Sequence, residues 1–421
     1  MSEIPLAPAV ATATRAPRNV RVSPFTKAAA IAIAAFIALP LVYLLVRAAE
    51  AGPDAWRLHL LTTATIDLLG STIVLAVSIL ALCIAVSVPY AWLVTRTDLP
   101  ARQLWAVIGA LPLAFPSYVA AFTIVSILGP YGAIARALGR ELPEIAYGWS
   151  GAMITLGLFS YPYLYLLLVA AMKGLDPSLE EAARSLGASR AEVFRRVIVP
   201  QLRAPLGAGS LMIVLYTISD FGAVSIVRYD TFTTAIYDAY RGLFDRTVAA
   251  LLATVLALMT IAILVTEWIA VRDAAVTRSR ASRTAPATPL GRWKPVALLF
   301  VSIIAFATVL VPLAAIAGGS MRAIASGRAF VALVETRNSL LVSAAAAIVC
   351  VVLSLPVALW AVRGRQRMAV VVERVTFAGY ALPGIVVALA LVFFGTRVVI
   401  ELYQTLGMLI FAWSVLFLPL A

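Results

Sequence analysis

One histidine and two cysteines in 421 residues leave little from which to build a metal centre or a disulfide framework. His59 stands alone, so no metal site or catalytic triad containing histidine can be assembled. Cys83 and Cys350 each fall inside an apolar run and read as small core residues. Charge is scarce too: 13% of residues are charged against 62% hydrophobic, with a mean hydropathy of +0.99. No soluble fold has the interior to hide that much apolar surface, so an all-α polytopic protein of the lipid bilayer is expected. Lysine is nearly absent. Lys27, Lys173 and Lys294 follow Thr26, Met172 and Trp293, which excludes the Gly-Lys-Ser/Thr of a phosphate-binding loop and leaves any ATP to a partner. No cofactor is expected on this chain, and no convergent nucleophile, acid and base marks an enzyme. The net charge of +13 is dispersed over loops between apolar runs, which argues against nucleic acid and for a role in topology.

What is present is a series of apolar runs near 28–47, 68–94, 104–128, 149–172, 206–226, 247–270, 295–317, 337–362, 374–396 and 406–421, each close to the roughly twenty residues that cross a bilayer. Residues 1–27 read as a cytoplasmic tail. With the N-terminus inside, most basic residues fall in cytoplasmic segments, including 176–205 and a basic, proline-containing linker at 271–294. The linker separates a first domain, 28–270, from a second, 295–421. An offset of 267 residues aligns Cys83 with Cys350, Pro89 with Pro356, Arg96 with Arg363 and Pro116 with Pro383, so the two groups of spans read as tandem related domains. Matching Pro162 to Pro419 leads to the expectation that the second domain is truncated before its own version of the 176–205 loop.

That loop, Asp176 to Pro205, is the most informative stretch. Asp176 is a good N-cap and Pro177 suits a first helical turn; Leu179, Ala182, Ala183 and Leu186 give an apolar side, and Gly187 ends the helix. Ser189 and Glu192 form a capping box for a second helix, with Val193, Phe194 and Val197 on one face and Pro200 as its limit. Beyond it, Asp220 follows about 20 Å of apolar helix, where an acid is costly unless it faces a cavity or partner. It reads either as a residue of a path for a cation or as an interfacial acid, paired with Arg228 or capping a broken helix. Tyr216, Pro116 and Pro383 complete the expected path, the prolines as bends. Gly222, Arg228-Tyr229-Asp230 and Tyr237-Asp238 border the outer loop.

Glu181-Ala182-Ala183, then Gly187, then Val197, Val199 and Pro200 resemble the EAA-x3-G-x9-I-x-L-P loop of binding-protein-dependent ABC importer permeases, with valine at the Ile and Leu positions. The run SDFGAVSIVRYDTFTTAIYDAYRGLFDRT and the double-domain plan resemble the iron(III) permeases within that class; fused thiamine and phosphonate permeases share the architecture. The resemblance implies the type I ABC importer transmembrane fold and ATPase coupling through Glu180, Glu181, Ala182, Ala183, Gly187, Val197, Val199 and Pro200. It also implies a cytoplasmic ATPase dimer, a periplasmic substrate-binding protein and a bacterial inner-membrane location. An ion-coupled secondary transporter remains a further alternative, although it would not need this loop.

Overall fold

The computed structural model describes residues 22–60, 62–241, 246–271, 287–327, 329–363, 367–418 and 421. The expected tail up to residue 21 and linker residues 272–286 lie outside the described residues. Among the described residues the fold is helical, with no strand beyond an isolated pairing of Thr97 with Thr288.

Helix α1 (Pro24–Glu50) opens on Ser23, whose Oγ accepts from the Thr26 N–H at 3.2 Å. The short α2 (Gly52–Leu60) leads to α3 (Thr63–Arg96), capped by Thr62 Oγ1. The next apolar run, expected as one span over 104–128, is broken. It forms α4 (Arg102–Ile108), a 3-10 turn at Leu111–Ala114, α5 (Ser117–Leu128) and the short α6 (Ala133–Leu138). Pro112 and Pro116 have no N–H to continue a helix. The Ala106 carbonyl, left without its helical donor when the Ala110 N–H turns to Val107, accepts instead from the Tyr165 hydroxyl at 2.9 Å.

Helix α7 (Gly148–Lys173) crosses back beside α3, close enough that a Cβ on Gly157 would stand 2.5 Å from Leu82 Cδ2. Then come α8 (Pro177–Ser185), α9 (Arg190–Val193), a π-turn at Phe194–Ile198, α10 (Val199–Gln201) and α11 (Arg203–Ser219). The expected span 206–226 also breaks, at Asp220, before α12 (Gly222–Ile226). Helices α13 (Phe232–Arg241) and α14 (Arg246–Val271) follow.

The remainder is α15 (Lys294–Ala305), a π-turn at Phe306–Leu310, α16 (Val311–Ala325), α17 (Ala329–Arg363), α18 (Arg367–Ala381), α19 (Gly384–Arg397) and α20 (Leu406–Phe417). Every expected apolar run meets a helix, but not every one is an unbroken span. Among the described residues seven helical segments are long and apolar enough to cross a membrane, a pair bent by 54° at Leu202 makes an eighth if taken as one span, and α19 and α20 are shorter apolar helices.

Elements recur in order at the offset read from the sequence. Pro89 lies inside α3 and Pro356 inside α17, while Pro116 and Pro383 each stand at the N-cap of the helix that follows, α5 and α19. Cys83 Sγ meets the Gly157 carbonyl on α7 at 3.4 Å, and Cys350 Sγ meets Ser414 on α20 at 3.9 Å. Both cysteines are buried and free.

Packing does not follow the order of the chain. One core gathers α3, α7, α11 and α12 together with Ala297, Val301 and Ile304 of α15. The other gathers α17 to α20 together with α13, α14 and residues Ala30 to Leu44 of α1. The first helix of each sequence half is therefore buried against the other half; Tyr43 of α1 donates to the Phe393 carbonyl of α19 at 3.4 Å. An amphipathic helix buries its apolar stripe wherever a complementary groove exists, and sequence periodicity does not say where that groove lies.

Candidate functional site

The 176–205 loop is built by local hydrogen bonds. Asp176 Oδ1 accepts from the Ser178 N–H at 2.9 Å, which holds the Asp176 carboxyl below the usual carboxylate range. At the other end of α8 the Gly187 N–H reaches the Arg184 carbonyl at 2.9 Å and the Ala188 N–H reaches the Ala183 carbonyl at 3.1 Å. This is a Schellman closure, and it requires the left-handed conformation that Gly187 adopts at φ +85°. The spacing from Ala183 to Gly187 thus has a mechanical meaning: one supplies the accepting carbonyl, the other the reversal.

The capping box then starts the second helix. The Ser189 N–H donates to Glu192 Oε2 at 3.0 Å and the Glu192 N–H to Ser189 Oγ at 3.3 Å, so the Glu192 carboxyl is also held low.

One expectation for this loop needs correction. Pro200 does not end the second helix: the chain widens into the π-turn at Phe194–Ile198, passes through Pro200 and bends only at Leu202. A π-turn adds one residue to a helical turn, and it lies just N-terminal to the residue whose ring would otherwise crowd the preceding turn. It also leaves Val193 and Ile198, five residues apart, both buried in the same core, a spacing that a regular 3.6-residue period does not foresee. The apolar side of α8 faces largely away from the chain. Leu186 is 88% exposed, Leu179 half-exposed, and Glu181 and Ala182 exposed, with Ala183 half-buried; Arg195 and Arg196 are exposed on the second helix. Val197 and Val199 are half-buried and Pro200 exposed.

The loop is tied to the membrane helices at two points. Glu180 Oε1 pairs with Arg96 Nη2 at the end of α3, 2.8 Å away, with side chains 12% and 6% exposed; Arg184 approaches the other carboxylate oxygen at 3.9 Å. Phe194 stands edge-on to Trp92 of α3, ring centroids 5.3 Å apart. Arg96 and Trp92 were not singled out by motif because they lie far from the loop in sequence. The same end of α3 holds the linker's far end: the Thr288 N–H donates to the Arg96 carbonyl, and Asp98 accepts from the Leu290 N–H and from Lys294 Nζ, both at 2.8 Å.

On the other side of the fold, three of the four expected path residues meet. Asp220 Oδ1 accepts from the Ala223 N–H at 2.8 Å and caps α12, whose first residue, Gly222, stands against Ser117, the residue after Pro116; Tyr216 lies one turn before Asp220 on α11. Gly222 lets this corner close, since a Cβ there would lie 3.2 Å from Ser117 Oγ and Tyr118 Cβ. Pro383 is not part of this corner; it caps α19 in the other core. Of the two roles left to Asp220 outside a path, the geometry has the helix cap, while the Arg228 guanidinium lies over the Tyr147 ring, 5.1 Å from its centroid. Arg228 takes the left-handed conformation at φ 56°, and Tyr229 donates to the Ser71 carbonyl at 3.1 Å.

The sequence model of the family described as binding-protein-dependent transport system inner membrane component matches residues 100–277, a stretch that includes the loop and both broken spans. The Fe(3+)-transport system permease protein FbpB 2 of Haemophilus influenzae is 32% identical over 394 residues, covering 91% of this chain and 74% of that protein. The chain belongs to this family of inner-membrane permeases. The permease is also similar to the molybdenum transport system permease protein ModB of Escherichia coli, 29% identical over 223 residues, which cover 50% of the permease and 96% of ModB. To the sulfate transport system permease protein CysT of Salmonella typhimurium it is 32% identical over 137 residues, covering 32% of the permease and 50% of CysT.

Proposed function

We propose that this ABC importer permease carries iron(III), delivered by a periplasmic binding protein, across the bacterial inner membrane, with its N-terminus in the cytoplasm. The carrying observation is extent. The likeness to an Fe(3+) permease runs along 91% of the chain, whereas the molybdenum and sulfate permeases match half of it or less.

A cytoplasmic ATPase pair would seat on the outward face of the 176–205 loop, where Leu179 and Leu186 are bare. Movement of α8 would pass to α3 through Arg96–Glu180 and Trp92–Phe194, and to α11 through the bend at Leu202. The far end of α11 is the Asp220 corner, so a push on the loop would reach a second break in the same run of chain. Rigid segments joined at such breaks can switch between discrete arrangements. The recurrence at 267 residues supports tandem related domains. Asp220, Tyr216 and Pro116 are then path residues by position, with Asp220 acting through the α12 cap.

A reading as an oxyanion importer is kept by the ModB and CysT similarities. Proteoliposomes containing the permease, its ATPase and its binding protein, loaded in turn with iron(III), molybdate and sulfate, separate the two. ATP-dependent uptake of iron(III) alone is expected; uptake of either oxyanion without iron overturns the assignment.

A further inference from the structure

A cavity of 760 Å3 opens between α3, the second loop helix and α15. Its walls are Val88, Trp92, Phe194, Trp293, Val296 and Phe300, with Arg96, Glu180 and Arg184 at one end. The long walls are mostly apolar and offer few of the two to four polar partners that a buried water needs. From Val88 to Arg96 the cavity follows α3 for eight residues, about 12 Å of helix. It therefore extends from the level of the loop into the layer where acyl chains begin.

Its polar end is incompletely satisfied. Arg96 is 5% exposed and its Nε has no hydrogen-bond partner, although its Nη2 holds Glu180. Glu180 is shared with Arg184, so two guanidinium groups face one carboxylate and one positive charge remains in surplus. Lys294 does not add to this surplus, being paired with Asp98. A slot with apolar walls, two tryptophans and one uncompensated guanidinium at the interfacial end has the complementarity of one acyl chain below a monoanionic head.

We propose that this cavity is a binding site for an anionic phospholipid of the leaflet on the loop side, an acyl chain lying between α3 and α15 and the phosphate accepting from the Arg184 guanidinium beside the Arg96–Glu180 pair. The site lies beside the Arg96–Glu180 pair, so its occupancy bears on how firmly the loop is held to α3.

The test uses the full-length permease in nanodiscs of equal phosphatidylglycerol and phosphatidylcholine, with retained lipid read by native mass spectrometry. The wild type is expected to keep one phosphatidylglycerol per chain with about a tenfold preference over phosphatidylcholine, the range of one charge-assisted contact. Val296→Trp, which fills the slot, should abolish that retention. Leu299→Trp, three residues along the same helix, 61% exposed and outside the slot, should not. Millimolar inorganic phosphate should leave the bound lipid in place. Equal retention of both lipids by the wild type, displacement by phosphate, or an equal response of the two variants would each overturn the proposal; the wild-type arm decides even if a variant fails to fold.

Discussion

The ion pair between Arg96 and Glu180 gives the most quantitative prediction. Its atoms are 2.8 Å apart and its side chains 6% and 12% exposed, so each partner depends on the other for its desolvated charge. Breaking a buried pair by removing one partner costs about 3–5 kcal/mol, and the position at the end of α3 puts this pair near the lower figure, about 3 kcal/mol. The two deletions are not equivalent. Glu180→Ala leaves Arg96 without any carboxylate, whereas Arg96→Ala leaves Glu180 with Arg184 at 3.9 Å and should cost only about half as much. Thermal unfolding of both single variants and the double variant in nanodiscs gives the coupling energy, expected near 2 kcal/mol. ATP hydrolysis stimulated by the loaded binding protein should fall most in Glu180→Ala, since α8 then loses its hold on α3. A coupling energy below about 0.5 kcal/mol, or Arg96→Ala as damaging as Glu180→Ala, would refute this reasoning.

Other predictions follow from the same geometry. Leu186→Asp should leave the permease as stable as the wild type, because the side chain is 88% exposed, yet weaken ATPase binding at least tenfold in a pull-down or titration. Gly187→Val should destabilise the loop by about 1–2 kcal/mol through backbone strain alone, since nothing stands within 4 Å of a Cβ there, while Gly187→Asn should be nearly tolerated. Protease accessibility of the loop reports both. Asp220→Asn keeps an N-cap oxygen and should retain stability and most uptake; Asp220→Ala removes the cap of α12 and should cost about 1 kcal/mol and most of the uptake. Loss of uptake in a stably folded Asp220→Asn would instead make the charge itself essential.

The loop was legible in the sequence because its devices are local. Asp176, Gly187, Ser189 and Glu192 act on neighbours two to five residues away, and each forms the hydrogen bonds its type and position imply. The 267-residue register was visible because the two cysteines align in it together with two prolines and an arginine. The exchange of α1 and α15 between the cores was not, since an apolar stripe does not name its groove. Nor was the passage of the second loop helix through Pro200, where widening at Phe194–Ile198 replaces the stop that proline usually imposes. The prolines of the 104–128 run were visible as bends, but the complete break depends on Tyr165 reaching a carbonyl 59 residues away. For the same reason Arg96, 84 residues from Glu180, was visible as a repeat marker but not as the partner of Glu180.

The central claim is that force enters this chain through the 176–205 loop from an ATP-hydrolysing partner. Uptake by permease, ATPase and loaded binding protein in sealed proteoliposomes, measured with ATP, with a non-hydrolysable analogue and with an imposed ion gradient, tests it most directly. The account predicts uptake with ATP alone and its loss in Glu180→Ala. Uptake by the permease without its ATPase, driven by the ion gradient, would contradict it.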